Sequence, residues 1–201
     1  MRTLRRLLAL LSCALASSAQ AATEIVWWHA MVDANRAAVE QLADEFNRSQ
    51  RDYVVKPQYK GVYSETLAAG LAAFEEGDAP HILQVVEVGT ATMMAATGAV
   101  KPIHEVMRDA RQYFEPRSYL PAIVGYYSTA SGEMLSFPFN SSSAVMWVNK
   151  DALTRAGLGG AKLTTWPEVF DAAARLRANG HESCGFSSAW ITWIMIEQFS
   201  A

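Results

Sequence analysis

The chain has 201 residues, 51% apolar and 18% charged, with a net charge of −3. That is globular composition, long enough for one sizeable core or two small ones, and it excludes an intrinsically disordered chain. No apolar run reaches the roughly 18 residues that a membrane span needs, and the acidic balance excludes nucleic acid as an expected partner.

The first 21 residues read as an export signal. MRTLRR is a positive start, LLALLSCALA an apolar core, and Ala19-Gln20-Ala21 a small-residue cleavage site. Leu10-Leu11-Ser12-Cys13 resembles a lipobox, but it interrupts the apolar core instead of ending it, so cleavage after Ala21 is the expectation. Arg2, Arg5 and Arg6 would leave with the signal, taking the net charge from −3 to −6. Cys184 would then be the single cysteine, which cannot form an intrachain disulfide and reads as a small buried residue.

The mature part opens on a predicted strand, Glu24 to Trp28. A helix over 33–47 follows, with Val39, Leu42, Ala43 and Phe46 spaced to face one core. A second strand over 53–59 contains Pro57, which suggests an edge or a bend. The next helix, over 64–76, places Leu67, Leu71 and Phe74 on its buried stripe, and the run 81–86 reads as a buried strand. A short helix over 90–96 completes a β-α-β-α-β-α order, the signature of an α/β lobe with a largely parallel sheet. From 119 to 139 no helical period is expected, and Ser128-Thr129-Ala130-Ser131-Gly132 reads as the turn of a hairpin-like excursion. A strand over 144–148, with Trp147 in its core, and a helix over 149–156 come next. The helix over 166–178 is marked by Thr165 and Glu168 as a capping box and by Pro167 in its first turn. Trp166 is expected to pack this helix, and Gly180 to end it. Cys184 to Phe186 reads as extended and 190–199 as helical. The apolar ending, with no capping signal or polar tail, reads as a second α/β unit cut short. The expected organisation is a signal over 1–21, a first lobe over 22–138, and a crossover with the opening of a second lobe over 139–201.

Candidate chemistry is sparse. Ser141-Ser142-Ser143 has no Gly-x-Ser-x-Gly elbow around it, and no histidine spacing selects a triad. His29, His81, His104 and His181 lack metal-ligand spacing and read as loop or surface residues. Glu87 stands at the carboxyl end of an apolar strand, the edge of such sheets where ligands bind, and is costly there if buried unpaired. It is read as a ligand residue or as a structural partner. Tyr63, after Lys60-Gly61-Val62, and Trp190, after Ser187-Ser188-Ala189, have the placement of pocket walls or of ordinary packing.

The runs WWHAM, QYKGVYSETLAAGLAAFEEGDAPHILQVVEVGTATMM, PFNSSSAVMWVNKDAL and SAWITWIMIEQFSA resemble the periplasmic glycerol-phosphate-binding proteins of ABC importers, within the extracellular solute-binding family. The resemblance extends over 25–201. It implies a two-lobed α/β binding protein, monomeric and without a cofactor or catalytic role. Such a protein captures sn-glycerol 3-phosphate, and glycerophosphodiesters with it, in the periplasm and delivers it to an inner-membrane permease. Carried over position by position, its ligand residues are Tyr63, Glu87, Ser142 and Trp190. It also implies an arginine for the phosphate beyond Ala201, and nothing in the sequence reads as a substitute for it. Alternative readings are a binding protein for a neutral sugar, a truncated fragment that does not bind, a secreted serine hydrolase, and a short interaction module.

Overall fold

The computed structural model describes residues 21–178 and 184–198. The signal segment with Cys13, the expected helix stop at Gly180, His181 and the last three residues lie outside the described residues. The chain divides into two compact units, one running to Phe137 and the other from Pro138. No helix among the described residues is long and apolar enough to cross a membrane.

The first unit is an α/β lobe. β1 (Thr23–His29) is the centre of a three-stranded parallel sheet, in the order β2-β1-β3. α1 (Asp33–Ser49) leads to β2 (Tyr53–Tyr59), and α2 (Tyr63–Glu76) carries the chain across to β3 (Ile82–Leu83). Parallel neighbours cannot be joined by a tight turn, so each crossover takes a helix.

Register decides which side chains meet which helix. Trp28 pairs with Gln58 on one side and Leu83 on the other, and residues in register share a face of the sheet. Leu83 packs under α2, where a Cβ on Gly70 would come within 2.4 Å of its Cδ2. Trp28 therefore belongs to the α2 face. Trp27 and His29 point to the α1 face, where Arg36 of α1 lies over the Tyr59 ring at 5.4 Å.

The two helices bury less than their apolar stripes promise. Val39 and Ala43 of α1 are buried, but Leu42 and Phe46 are about half exposed. α1 rests mainly on β2, the outer strand, so the far half of its stripe has no sheet beneath it. Burying Val39 contributes roughly 1.5–3 kcal/mol. On α2 the fully buried positions are Thr66, Gly70 and Ala73, with Leu67, Leu71 and Phe74 half-buried beside them. These small residues let the helix axis sit close to the sheet.

The outward row of β2 is satisfied by side chains. Gln50 Oε1 accepts from Tyr53 N–H at 2.8 Å and its Nε2 donates to Tyr53 O at 2.8 Å. Asn47 does the same for Val55, with Oδ1 2.7 Å from its nitrogen and Nδ2 2.9 Å from its oxygen. Pro57, next in that row, has no N–H to satisfy. Its placement on an outer strand fits the sequence reading.

Elsewhere the first unit corrects that reading. β3 spans two residues instead of the run 81–86, because the chain leaves β1 after Gln84, whose N–H donates to Trp28 O at 2.9 Å. His29 is no surface histidine: it ends β1 and is 1% exposed. His104 is half-buried in a short helix, with its Nδ1 2.8 Å from Met134 O. α3 (Thr90–Ala95), α4 (Ile103–Asp109) and α5 (Pro121–Tyr126) follow the sheet. α5 falls where no helix was expected. The hairpin-like excursion beyond it is closed by an antiparallel bridge between Ser128 and Met134.

The second unit is built on two helices, α6 (Lys150–Arg155) and α7 (Trp166–Ala178). Asn149 caps α6, its Oδ1 accepting from Ala152 N–H at 2.9 Å. Ala152, Leu153, Ala172 and Leu176 form the core between them. Trp166 stacks on Phe170 with ring centroids 5.6 Å apart, and Phe186 meets both rings edge-on. The Glu168 carboxylate receives Thr164 and Thr165 N–H at 3.0 and 2.9 Å, together with both hydroxyls. The threonine hydroxyl donates here, so the cap is one-sided and not the reciprocal box expected. The strand over 144–148 does not form, and Trp147 is 92% exposed instead of core. A strand needs a neighbour for its ladder, and none lies beside it among the described residues. Cys184 is exposed, not buried.

Candidate functional site

The carboxyl ends of the three parallel strands form the edge from which ligand-binding loops leave an α/β sheet. His29 closes β1 there, and its Nδ1 accepts from Met31 N–H at 3.2 Å. Gln84, beyond β3, turns its Oε1 to Ala30 N–H at 3.0 Å. These two buried side chains hold the loop after β1 against the sheet. The His29 pKa is lowered, first by burial and then by the Arg36 charge, which favours the neutral imidazole that this acceptor role requires.

Two of the four sequence-predicted ligand residues stand at this edge. Tyr63 is the first residue of α2, half-buried, and is reached through Gly61 at φ 97°. Glu65 fixes the approach by accepting from Val62 N–H at 2.9 Å, and Thr66, 0% exposed, donates its hydroxyl to Gly61 O at 3.1 Å. Glu87 begins a 3-10 turn, Glu87–Gly89, between β3 and α3. Its side chain lies outside what is described. Gly89 anchors the turn under α2, where an added Cβ would come within 2.8 Å of Leu67 Cδ2. The loops carrying Tyr63 and Glu87 are thus tied to the same helix.

The other two residues belong to the second unit. Ser142 is exposed in the irregular stretch that precedes α6. Trp190 is 63% exposed and adopts φ 52°, an uncommon backbone for a bulky side chain. It introduces the π-helical segment Thr192–Gln198, accepting from Ile194 N–H at 2.9 Å. The same unit has an apolar groove of about 930 Å³, lined among others by Trp147, Leu153, Trp166, Leu176 and Phe186. Neither Ser142 nor Trp190 lines it.

One pair at the first unit's edge escaped the sequence reading. The Lys60 ammonium lies over the Trp28 ring, 4.0 Å from its centroid. The WWHAM and QYKGVY runs each name one member, but only the strand register brings them together.

A parallel α/β sheet with loop residues gathered at its carboxyl edge is the architecture of a small-molecule binding lobe. The chain belongs to the bacterial extracellular solute-binding protein family, which it matches over residues 33–201. Within that class, it is 50% identical over 192 residues to the sn-glycerol-3-phosphate-binding periplasmic protein UgpB of Agrobacterium fabrum, covering 95% of this chain and 44% of that protein. The UgpB proteins of Brucella abortus and Yersinia enterocolitica are 51% and 49% identical over 186 and 193 residues, again at 43% and 44% of their lengths. The chain therefore spans less than half the length of these curated relatives. Among solved structures, CpMnBP1 with mannotriose bound is similar at a TM-score of 0.58 and 20% identity, covering 77% of this chain and 38% of that one. That likeness concerns the fold.

Proposed function

We propose that the protein captures sn-glycerol 3-phosphate in the periplasm as the binding component of an ABC importer, with glycerophosphodiesters as further ligands and an inner-membrane permease as partner. The observation that carries this reading is the identity of about one residue in two with UgpB proteins across 95% of the chain. Tyr63, Glu87, Ser142 and Trp190 divide the ligand between them. A carboxylate repels phosphate, so Glu87 accepts from the glycerol hydroxyls. Ser142 donates its hydroxyl to a phosphate oxygen without adding charge. Tyr63 supplies a phenolic O–H, and Trp190 a flat wall for the three-carbon chain. None of these roles is catalytic.

The test is a tryptophan-fluorescence titration of the exported gene product that carries this chain, with sn-glycerol 3-phosphate and with maltose. Saturable binding of the phosphate alone is expected, weakened about tenfold each by Glu87→Gln and Ser142→Ala, as for the loss of one charge-assisted hydrogen bond. Binding of maltose alone would move the protein to the neutral-sugar carriers.

A further inference from the structure

We infer that Lys60 is a ligand-directed cation which the first unit supplies to the phosphate of its ligand, an inference that rests on the function proposed above. Lys60 extends the β2 ladder by one residue, its N–H donating to His29 O at 3.1 Å. It alternates with Gln58, the register partner of Trp28, and so shares the α2 face of the sheet with the Trp28 indole. This is the face on which Tyr63 begins α2, three residues further along the chain.

The electrostatic setting of Lys60 differs from that of the ion-paired bases in the molecule. Lys101 pairs with Asp109 at 2.7 Å, Lys56 with Glu24, Arg36 with Glu40 and Arg175 with Asp171. Those are exposed pairs within reach of water. Lys60 is half-buried, and among the described residues it has no carboxylate within ion-pair distance. Glu65, in the first turn of α2, is engaged by Val62 N–H. A cation withdrawn from water without a counter-ion is costly, and an aromatic face offsets part of that cost. It also holds the flexible lysine stem in place before a ligand arrives.

The supporting ring carries a second donor without an acceptor. The Trp28 indole N–H is buried and has no hydrogen-bond partner among the described residues. The ammonium, held on this face of the sheet, selects for an acceptor-rich and negatively charged group. A neutral sugar hydroxyl can accept from the ammonium but gains little from its charge. A phosphate monoester, close to a dianion at neutral pH, is attracted by it. Glu87, from the turn after β3, would then set the orientation by drawing the hydroxyl end of the ligand toward itself and its phosphate away.

The experiment titrates sn-glycerol 3-phosphate into the exported gene product and its Lys60→Met and Lys60→Arg variants, at low and at high salt, with thermal melts alongside. Lys60→Met is expected to bind about tenfold more weakly and with a flatter salt dependence, while Lys60→Arg keeps most of both. Unchanged affinity and salt slope in Lys60→Met, with the unsubstituted protein binding normally, would overturn the inference and leave the proposed function standing. Equal losses in both variants, accompanied by lower melting temperatures, would make Lys60 a packing residue and overturn it too. An unsubstituted protein that does not bind the phosphate would remove the proposed function, and the role of Lys60 with it.

Discussion

His29 is a buried base whose proton balance couples the sheet edge to pH. Its folded pKa lies below the ordinary 6.5, through burial first and Arg36 second. Above that ordinary value both folded and unfolded chains are neutral at this residue. As pH falls below it, the unfolded chain takes up the proton before the folded one does, so stability declines until the depressed folded value is passed. His29→Gln can keep an acceptor for Met31 N–H without the titration. Its urea midpoint is expected to decline less than that of the unsubstituted protein between about pH 7.5 and 5.5. Parallel declines would assign the acid sensitivity to other groups. Glu168 has the opposite sign. Hydrogen bonds from Thr164 and then Thr165 hold its carboxyl below the usual range, so this cap is complete above 4.5 and is lost as pH falls through the lowered value.

Close approach between elements depends on small residues whose replacement has a calculable consequence. Gly70→Ala would put a methyl 2.4 Å from Leu83 Cδ2, and Gly185→Ala would put one 2.2 Å from the Ala173 carbonyl oxygen. Leu83 can rotate aside, whereas the α7 backbone cannot. Gly70→Ala is expected to lower stability in urea by about 1–3 kcal/mol. Gly185→Ala is expected to loosen Phe186 from Trp166 and Phe170, read as loss of near-ultraviolet circular dichroism. Gly125→Ala, in α5 with open space around it, serves as the neutral comparison. Much of this framework was legible beforehand. The predicted helix over 166–178 coincides with α7, where capping residues mark the start, and 33–47 lies within α1, where apolar spacing alone marks it. α5 was missed because six residues are too few to show a period, although Pro121 at its first position is a start signal. Trp147 and the strand around it were misread because apolar alternation shows that a segment can pair, not that a neighbour is present to pair with. The strand–loop–helix order also placed Glu87 at the sheet edge, while Tyr63 was marked only by its loop neighbours. The Lys60–Trp28 contact joins residues on separate strands and required the register, which local pattern does not supply.

At the scale of the whole molecule, a member of the extracellular solute-binding family has to reach its folded state and stay dispersed. β2 is the longer of the two outer strands of the sheet, and Tyr53-Val54-Val55 is a sequence that favours strand pairing. An open flank of this kind recruits strands from other copies and seeds aggregates. Gln50 and Asn47 occupy the backbone groups of Tyr53 and Val55, and Pro57 removes the next donor. Lys56 stands between them as a charge. The flank is therefore closed to intruding strands by residues of the chain itself. Combining Asn47→Ala with Pro57→Val is expected to raise light scattering during refolding well above that of Val39→Ala, which loses core packing but keeps the flank intact. Equal scattering from the two would trace aggregation to lost stability alone. The side chains that finish β2 thus act beyond their own lobe, by keeping neighbouring copies of the chain from adding to its sheet.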